Sequence, residues 1–167
     1  MRDLRGNVDT RLRKVEAGEY DAVMLAKAGL DRLGWSHRIS ETLSPEVCMP
    51  AVGQGALGVE CRASDAETAN ALEKLDDAET RAAIVAERTL LSALQGGCQV
   101  PLGAWARMER DELVLEACVC SIDGLQYVKQ RAAAPPDQAR ALGGRMAQLL
   151  IDAGAQNILE EVSRQRG

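Results

Sequence analysis

Residues 100–134 read VPLGAWARMERDELVLEACVCSIDGLQYVKQRAAA and carry the clearest fold signal in the chain. Apolar and polar residues alternate along three runs of this segment, and a period of two residues is typical of half-buried strands. The runs are Val100–Met108, Glu112–Cys120 and Leu125–Arg131. Arg110-Asp111 and Asp123-Gly124 stand between them, where tight turns reverse the chain. The segment therefore predicts a three-stranded antiparallel meander.

Helices are predicted on both sides of this meander, because apolar residues recur there with a helical period. The predicted helices are Asp65–Leu75, Ala78–Leu94, Asp137–Leu150 and Ala155–Val162. The buried stripe of the second helix is assigned to Ile84, Leu91 and Leu94. Glu87 is placed outside that stripe, and Asp137 is the expected N-cap of the helix after Pro135-Pro136. These elements predict an α+β domain over residues 78–167.

The N-terminal part of the chain predicts shorter elements. They are a helix capped by Asn7, Asp9 or Thr10 and ended by Gly18, a continuous apolar strand over Tyr20–Ala26, a helical segment over Ala28–Leu33, and a strand over Leu57–Cys61. Residues 36–50 contain two prolines and are predicted to form a loop. The Gly53-Gln54-Gly55 segment is only loosely similar to a phosphate-binding loop, since the Lys-Ser/Thr of a P-loop is absent.

Composition argues against several classes of protein. The 167 residues carry 20 Lys+Arg against 25 Asp+Glu, and a net charge of −5 argues against a nucleic-acid binder. The apolar runs are far shorter than the ~20 residues of a membrane-spanning helix. No signal peptide is visible, so a cytoplasmic location is expected. One histidine excludes a two-histidine zinc motif, and five cysteines without a CxxC pair indicate free thiols. We expect no metal, membrane or nucleic-acid partner.

Cys98 is the most conspicuous candidate for chemistry. It follows Gly96-Gly97, which leave its thiol sterically open, but no histidine adjoins it in sequence to act as a base. The C-terminal end of the preceding helix also disfavours a thiolate. From these residues alone, a reactive thiol and an inert buried cysteine are both open interpretations. Cys118 and Cys120 share one face of their strand and are expected to be buried as small apolar side chains.

Three arginines form the second candidate group. Arg5, Arg11 and Arg32 lie beside glycines or at the ends of predicted elements. A guanidinium group holds a carboxylate through two parallel hydrogen bonds, which lysine cannot reproduce. For any one of these arginines taken alone, solvated surface charge is the better interpretation.

Four segments resemble, in order and in spacing, the porphobilinogen deaminase (hydroxymethylbilane synthase) family. They are RGNVDTRL at residues 5–12, LAKAGL at 25–30, PAVGQGA at 50–56 and GGCQVPLG at 96–103. The resemblance extends over the whole chain. It implies a transferase of tetrapyrrole, porphyrin and heme biosynthesis that condenses four porphobilinogen molecules into hydroxymethylbilane and releases ammonia at each step.

The resemblance also implies roles for individual residues. Cys98 corresponds to the cysteine that carries the dipyrromethane cofactor through a thioether, and this cofactor primes the growing chain. Arg5 and Arg11 correspond to arginines that bind the carboxylates of the cofactor. Arg11 and Arg32 correspond to arginines that bind those of the substrate. Ala26 and Gln54 correspond to positions that line the cleft in which the cofactor and the substrate bind.

A divided fold, α/β plus α+β, is implied as well. Residues 1–50 correspond to the end of family domain two, residues 51–77 to a returning segment of domain one, and residues 78–167 to the C-terminal α+β domain with the cofactor cysteine. The first two are expected to form a partial, periplasmic-binding-protein-like α/β segment. The family's catalytic aspartate has no counterpart here, since neither Asp9 nor Asp21 matches its motif.

We therefore expect an enzyme fragment that is inactive alone. Its expected partners are porphobilinogen, the growing polypyrrole chain and, if supplied in trans, the missing N-terminal half of the enzyme. The alternative is a non-catalytic module that binds a polycarboxylate or a partner protein. In that case the arginines hold the ligand and Cys98 carries no pyrrole.

Overall fold

The computed structural model describes residues 2–94 and 100–166. The chain divides into two compact units, one up to Ser44 and one from Pro45 onward. Within the described residues, no helix combines the length and the apolar character needed to cross a membrane.

The first unit contains two short helices, α1 (Val8–Glu16) and α2 (Lys27–Arg32), and a 3-10 turn at Ser36–Arg38. Asn7 caps α1, and Gly18 adopts a φ of +73° just after its end. The capped helix and the glycine stop predicted from the sequence are confirmed, because both depend on a few neighbouring residues.

The strand predicted over Tyr20–Ala26 is wrong. These residues form no regular element, and Met24 is 61% exposed. A strand depends on hydrogen bonds to a neighbouring strand, and the described part of the first unit contains no other strand. The strand predicted over Leu57–Cys61 in the second unit is also wrong, because these residues pair with none of the three strands of that unit, and Leu57 is 92% exposed.

The second unit contains four helices and three strands among its described residues. In chain order they are α3 (Ala66–Glu73), α4 (Ala78–Ala93), β1 (Leu102–Glu109), β2 (Glu112–Cys120), β3 (Tyr127–Ala134), α5 (Ala139–Asp152) and α6 (Ala155–Arg166). Asp65 and Asp77 cap α3 and α4 by accepting hydrogen bonds from main-chain N–H groups. All four predicted helices are confirmed, with bounds that differ by at most two residues except that α6 extends four residues beyond its predicted end.

The predicted antiparallel meander is confirmed. The strand order is β1-β2-β3, and the register runs from Leu102 opposite Val119 to Glu109 opposite Glu112. Arg110 and Gly124 adopt φ values of +58° and +74° in the two turns. Because side chains alternate across a sheet, the central strand buries every second residue beneath the helices. These residues are Leu113, Leu115, Ala117 and Val119.

Helices α4, α5 and α6 cover one face of this sheet and form the core with it. The core residues contributed by the helices and the C-cap of α4 are Ala86, Leu90, Leu94, Ala139, Leu142, Met146, Ala147, Leu150, Ala155, Ile158 and Val162. The buried stripe of α4 therefore runs through Ala86, Leu90 and Leu94, whereas Ile84 and Leu91 are only half-buried. The predicted stripe was rotated, because it followed the large aliphatic residues and overlooked Ala86.

Asp137 does not cap α5 as predicted. It lies inside a 3-10 turn at Pro136–Gln138, and Gln138 occupies the N-cap position of α5 without a side-chain hydrogen bond. Proline favours the first position of a helical turn because its φ is already suitable. The chain therefore begins to turn at Pro136, one residue before the expected cap.

Candidate functional site

The first candidate residues lie around the start of α1. Gly6 has a φ of +123°, and a Cβ at this position would lie 2.9 Å from Thr10 Cγ2, so only glycine fits without strain. Asn7 Oδ1 then accepts a hydrogen bond of 2.9 Å from the N–H of Thr10. The Nε–H of Arg11 donates to the carbonyl oxygen of Gly6 at 2.8 Å. The glycine turn thus anchors the guanidinium group of Arg11 by one edge.

The remaining candidates of the first unit also lie at helix ends. Arg5 is exposed just before the cap of α1, and Arg32 is the exposed last residue of α2. Ala26 occupies the N-cap position of α2, and its carbonyl oxygen accepts a hydrogen bond of 3.0 Å from Gly29 N–H. Helix ends project side chains beyond the helix body, so these positions are accessible to a ligand.

Three other cations of this unit have acidic partners. The ion pairs are Arg13 with Asp9, Lys27 with Asp31, and Arg38 with Glu16. In the described part of the unit, no carboxylate pairs with Arg5, Arg11 or Arg32. Their charges are therefore not neutralised within the unit, which suits the binding of external carboxylates.

Gln54 lies in a turn of the second unit that follows a short contact with the edge of β1. Ala51 forms an isolated antiparallel bridge with Gly103, and the N–H of Ala104 donates to the carbonyl oxygen of Pro50 at 2.9 Å. We call residues 51–55 the Gln54 turn. The side chain of Gln54 is exposed at its tip.

Glu87 is a buried acid that the sequence analysis placed outside the buried stripe. It is only 5% exposed, and both of its carboxylate oxygens accept main-chain hydrogen bonds. Oε2 accepts from the N–H of Gly53 at 2.7 Å, and Oε1 accepts from the N–H of Ala106 at 2.8 Å. Burial raises the pKa of Glu87, and the two N–H donors oppose part of that increase. A charged residue three positions before Leu90, within the true buried stripe, was the sequence signal that could have revealed it.

A cleft of about 430 Å³ opens beside Glu87 in the second unit. Its lining combines apolar residues with three acids, one amide and one guanidinium group. The acids, the amide and the guanidinium group belong to Asp77, Glu79, Glu87, Gln54 and Arg107. Three of its four charged lining residues are acids, so its charge differs from that of the unpaired arginines in the first unit.

Cys98, the expected cofactor cysteine, lies outside the described residues. The two strand cysteines, Cys118 and Cys120, are half-buried on the sheet face that lies away from the helices. Burial raises the pKa of the Cys118 thiol, which disfavours the nucleophilic thiolate. Cys61 is exposed, and Cys48 is half-buried.

Two family models match the chain. The model described as "Porphobilinogen deaminase, dipyromethane cofactor binding domain" matches residues 1–70. The model described as "Porphobilinogen deaminase, C-terminal domain" matches residues 81–152. The chain belongs to the porphobilinogen deaminase family. The resemblance inferred from the four motifs is confirmed.

Individual family members agree with both models. The chain is 52% identical to the porphobilinogen deaminase of Desulforudis audaxviator over 95% of its length, which is 52% of that protein. It is 47% identical to the enzyme of a Nostoc species over 97% of its length, which is 50% of that protein. It is 52% identical to the porphobilinogen deaminase of Roseiflexus castenholzii over 94% of its length, which is 52% of that protein. The chain thus spans about half the length of the curated relatives that it matches.

The candidate residues are distributed over both matched regions. The cofactor-binding domain model covers Arg5, Arg11, Ala26, Arg32 and Gln54. The C-terminal domain model covers Cys98 and also Glu87. Glu87, whose burial was apparent only from the structure, therefore lies in the same matched region as Cys98, the expected cofactor cysteine.

Proposed function

We propose that this chain supplies part of a porphobilinogen deaminase, which condenses four porphobilinogen molecules into hydroxymethylbilane with release of ammonia. The observation that carries the proposal is the match to two domains of that enzyme, at residues 1–70 and 81–152. Because the chain spans about half the length of its relatives, we assign the complete reaction to an assembly with the remaining half. The isolated chain is expected to be inactive, since the family's catalytic aspartate has no counterpart in it.

The proposal includes an arrangement of family domains. Residues 1–50 would end domain two, residues 51–77 would return to domain one, and residues 78–167 would form the C-terminal domain. Exposed apolar side chains in the first two segments support a periplasmic-binding-protein-like α/β fold that is completed by further strands. Examples are Met24, Leu57 and Val59, which are 61%, 92% and 65% exposed. Such side chains are usually covered by other parts of a protein.

Cys98 is proposed to hold the dipyrromethane cofactor through a thioether. The cofactor supplies the primer to which new pyrrole rings are added. Each pyrrole carries two carboxylates, so a site for it needs fixed cations, and unpaired guanidinium groups suit this requirement. Arg5 and Arg11 would bind the carboxylates of the cofactor, and Arg11 and Arg32 those of the substrate.

Ala26 and Gln54 would line the same cleft in the assembled enzyme. Ala26 offers a small side chain at the start of α2, where a bulky residue would restrict access. Gln54 offers both a hydrogen-bond donor and an acceptor from an exposed position. Both residues are accessible in the structure, as the proposal requires.

Intact mass measurement tests this function. The purified chain is mixed with the N-terminal half of a family member and with porphobilinogen, and each chain is then weighed. We expect a mass increase of two pyrrole units that peptide mapping places on Cys98. Cys98→Ser should abolish the increase. The matched control is Cys61→Ser, since Cys61 is an exposed thiol and its loss should leave the adduct unchanged.

The non-catalytic module predicts a different outcome of the same experiment. The chain would bind a polycarboxylate through its unpaired arginines and would gain no mass at Cys98. Carboxylate binding without an adduct, seen in the presence of the N-terminal half, would overturn the enzymatic proposal.

A further inference from the structure

Glu87 connects three segments of the second unit. It projects from α4, it binds the edge of β1 through Ala106, and it binds the Gln54 turn through Gly53. The two hydrogen bonds measure 2.7 and 2.8 Å, and the side chain is 5% exposed. A buried carboxylate is stable only when its oxygens have donors, and here each oxygen has one.

The chemistry of the carboxylate matters for this arrangement. An ionised carboxylate has only acceptors, so it can receive both N–H groups at once. A glutamine of the same shape has one acceptor oxygen and one NH₂ group, which would face an N–H donor. Glu87→Gln therefore removes one of the two bonds while keeping the volume of the side chain.

The Gln54 turn depends on this anchor. Gly53 has a φ of +77°, and the N–H of Gln54 donates to the carbonyl oxygen of Ala51 at 3.2 Å. On its N-terminal side the turn is held by the bridge between Ala51 and Gly103. Glu87 holds it from the other side, immediately before Gln54.

We propose that Glu87 is a positioning residue for the pyrrole site, because it fixes Gly53 and thereby sets where the Gln54 side chain is presented. The inference rests on the proposed function, which gives Gln54 its ligand. Glu87 itself is covered by the protein and acts through the Gln54 turn. Its helix α4 ends at Ala93, and Cys98 follows in the sequence, so one helix links the turn to the segment that carries the cofactor cysteine.

Amide hydrogen exchange on the full chain tests the anchoring step without any ligand. In Glu87→Gln, we expect the Gly53 amide to exchange faster by a factor on the order of ten, because a charge-assisted hydrogen bond is lost or weakened. The amide of Leu115 in β2 should keep its rate. Glu79→Gln is the matched control, because it removes a carboxylate from the same cleft and should leave Gly53 unchanged. An unchanged Gly53 rate in Glu87→Gln, or an equal increase at Leu115, would overturn the inference.

A double-variant cycle tests the step from the turn to the site. The readout is the rate of adduct formation at Cys98, with porphobilinogen and the N-terminal half of a family member supplied. Gln54→Ala and Glu87→Gln should each slow loading about tenfold, and the double variant should be no slower than either. If the slowing in the double variant equals the product of the two single effects, Glu87 does not act through Gln54. A wild-type chain that gains no adduct overturns the proposed function instead, and the exchange rates at Gly53 still decide whether Glu87 anchors the turn.

Discussion

Gly143 of α5 lies directly against the main chain of Ala86 in α4. A Cβ at position 143 would lie 2.4 Å from the carbonyl oxygen of Ala86 and 2.8 Å from Cβ of Thr89. Neither atom is the end of a flexible side chain, so a side chain at position 143 would force the two helices apart. Glycine costs a helix about 1 kcal/mol relative to alanine, and the close approach of α4 and α5 explains why it is present.

Gly143→Ala should therefore destabilise the protein although alanine is the better helix former. We expect the free energy of unfolding to fall by about 1–3 kcal/mol, the usual cost of overpacking a core. Urea unfolding followed by circular dichroism measures the change. Gly144→Ala is the control, because a Cβ there meets no atom within 4 Å. That variant should gain about 0.5–1 kcal/mol. Equal effects of the two substitutions would contradict the packing argument.

Glu116 joins cations from two neighbouring strands on the sheet face away from the helices. Its carboxylate accepts a hydrogen bond of 2.7 Å from Arg107 and lies 3.1 Å from the Nζ of Lys129. Its side chain is 13% exposed. Burial alone would raise the pKa of Glu116, but the hydrogen bonds from Arg107 and Lys129 lower it overall.

Glu116→Gln should lower the free energy of unfolding by about 1–2 kcal/mol at neutral pH, because it leaves Arg107 and Lys129 without their shared charge. Since the folded chain holds the Glu116 proton less tightly than the unfolded chain, this contribution is present above the ordinary pKa of 4.5 and is lost as the pH falls through the lowered value. The free energies of unfolding of the wild type and of Glu116→Gln should thus become equal in acid. Glu112→Gln, on the exposed end of the same strand, should show no such loss.

Glu87 should show the opposite dependence on pH. Its pKa is raised in the folded chain, so the folded chain binds the proton more tightly than the unfolded chain does. The contribution of Glu87 to stability therefore decreases as the pH rises from its ordinary pKa of 4.5 through the raised value. Asp77, Glu79 and Arg107 line the same cleft and are present in both proteins to be compared.

The corresponding measurement compares the wild-type chain with Glu87→Gln at several pH values. The free energy of unfolding of the wild type, minus that of the variant, should decrease as the pH rises above the ordinary pKa of 4.5. A difference that increases with pH would show that the two N–H donors outweigh burial. Because the glutamine buries no charge, we expect the variant to fold.

Arg11 and Arg13 provide a matched pair for the proposed binding of carboxylates. Arg13 is paired with Asp9, whereas Arg11 donates its Nε–H to a carbonyl oxygen and has no acidic partner among the described residues. Arg11→Leu should reduce the rate of cofactor loading at Cys98 by a factor on the order of ten or more, as expected for a lost bidentate contact. Arg13→Leu should leave the rate within about twofold, since an exposed i,i+4 pair contributes little. An equal loss of loading rate in Arg11→Leu and Arg13→Leu would indicate that only the net charge of the chain matters.

Local signals explain the parts of the fold that the sequence could predict. The meander depends on alternation within each strand and on two short turns, and α1, α3 and α4 begin at capping side chains next to them in sequence. Non-local contacts explain the errors. Tyr20–Ala26 and Leu57–Cys61 have strand-like composition, but composition does not provide a hydrogen-bonded neighbour.

The candidate site also divides into residues that local sequence signals reveal and a residue that depends on non-local contacts. Arg5, Arg11, Ala26, Arg32 and Gln54 were selected from motifs that are contiguous in sequence. Glu87 has partners 34 and 19 positions away, at Gly53 and Ala106, and no short motif encodes such a contact. The buried stripe of α4 concealed it further, because the small residue Ala86, which packs against Gly143, carries little apolar signal in the sequence.

The division into two units has a practical consequence for spectroscopy. The chain contains two tryptophans, Trp35 in the unit up to Ser44 and Trp105 in the unit from Pro45 onward. The guanidinium carbon of Arg107 lies 3.7 Å from the centre of the Trp105 ring, so that indole has a cation as its immediate neighbour. Replacing either tryptophan by phenylalanine leaves a single tryptophan, in one unit, and its emission is distinct from that of Tyr20 and Tyr127. Two single-tryptophan proteins therefore allow the melting of each unit to be followed separately, by emission alone and without an attached dye.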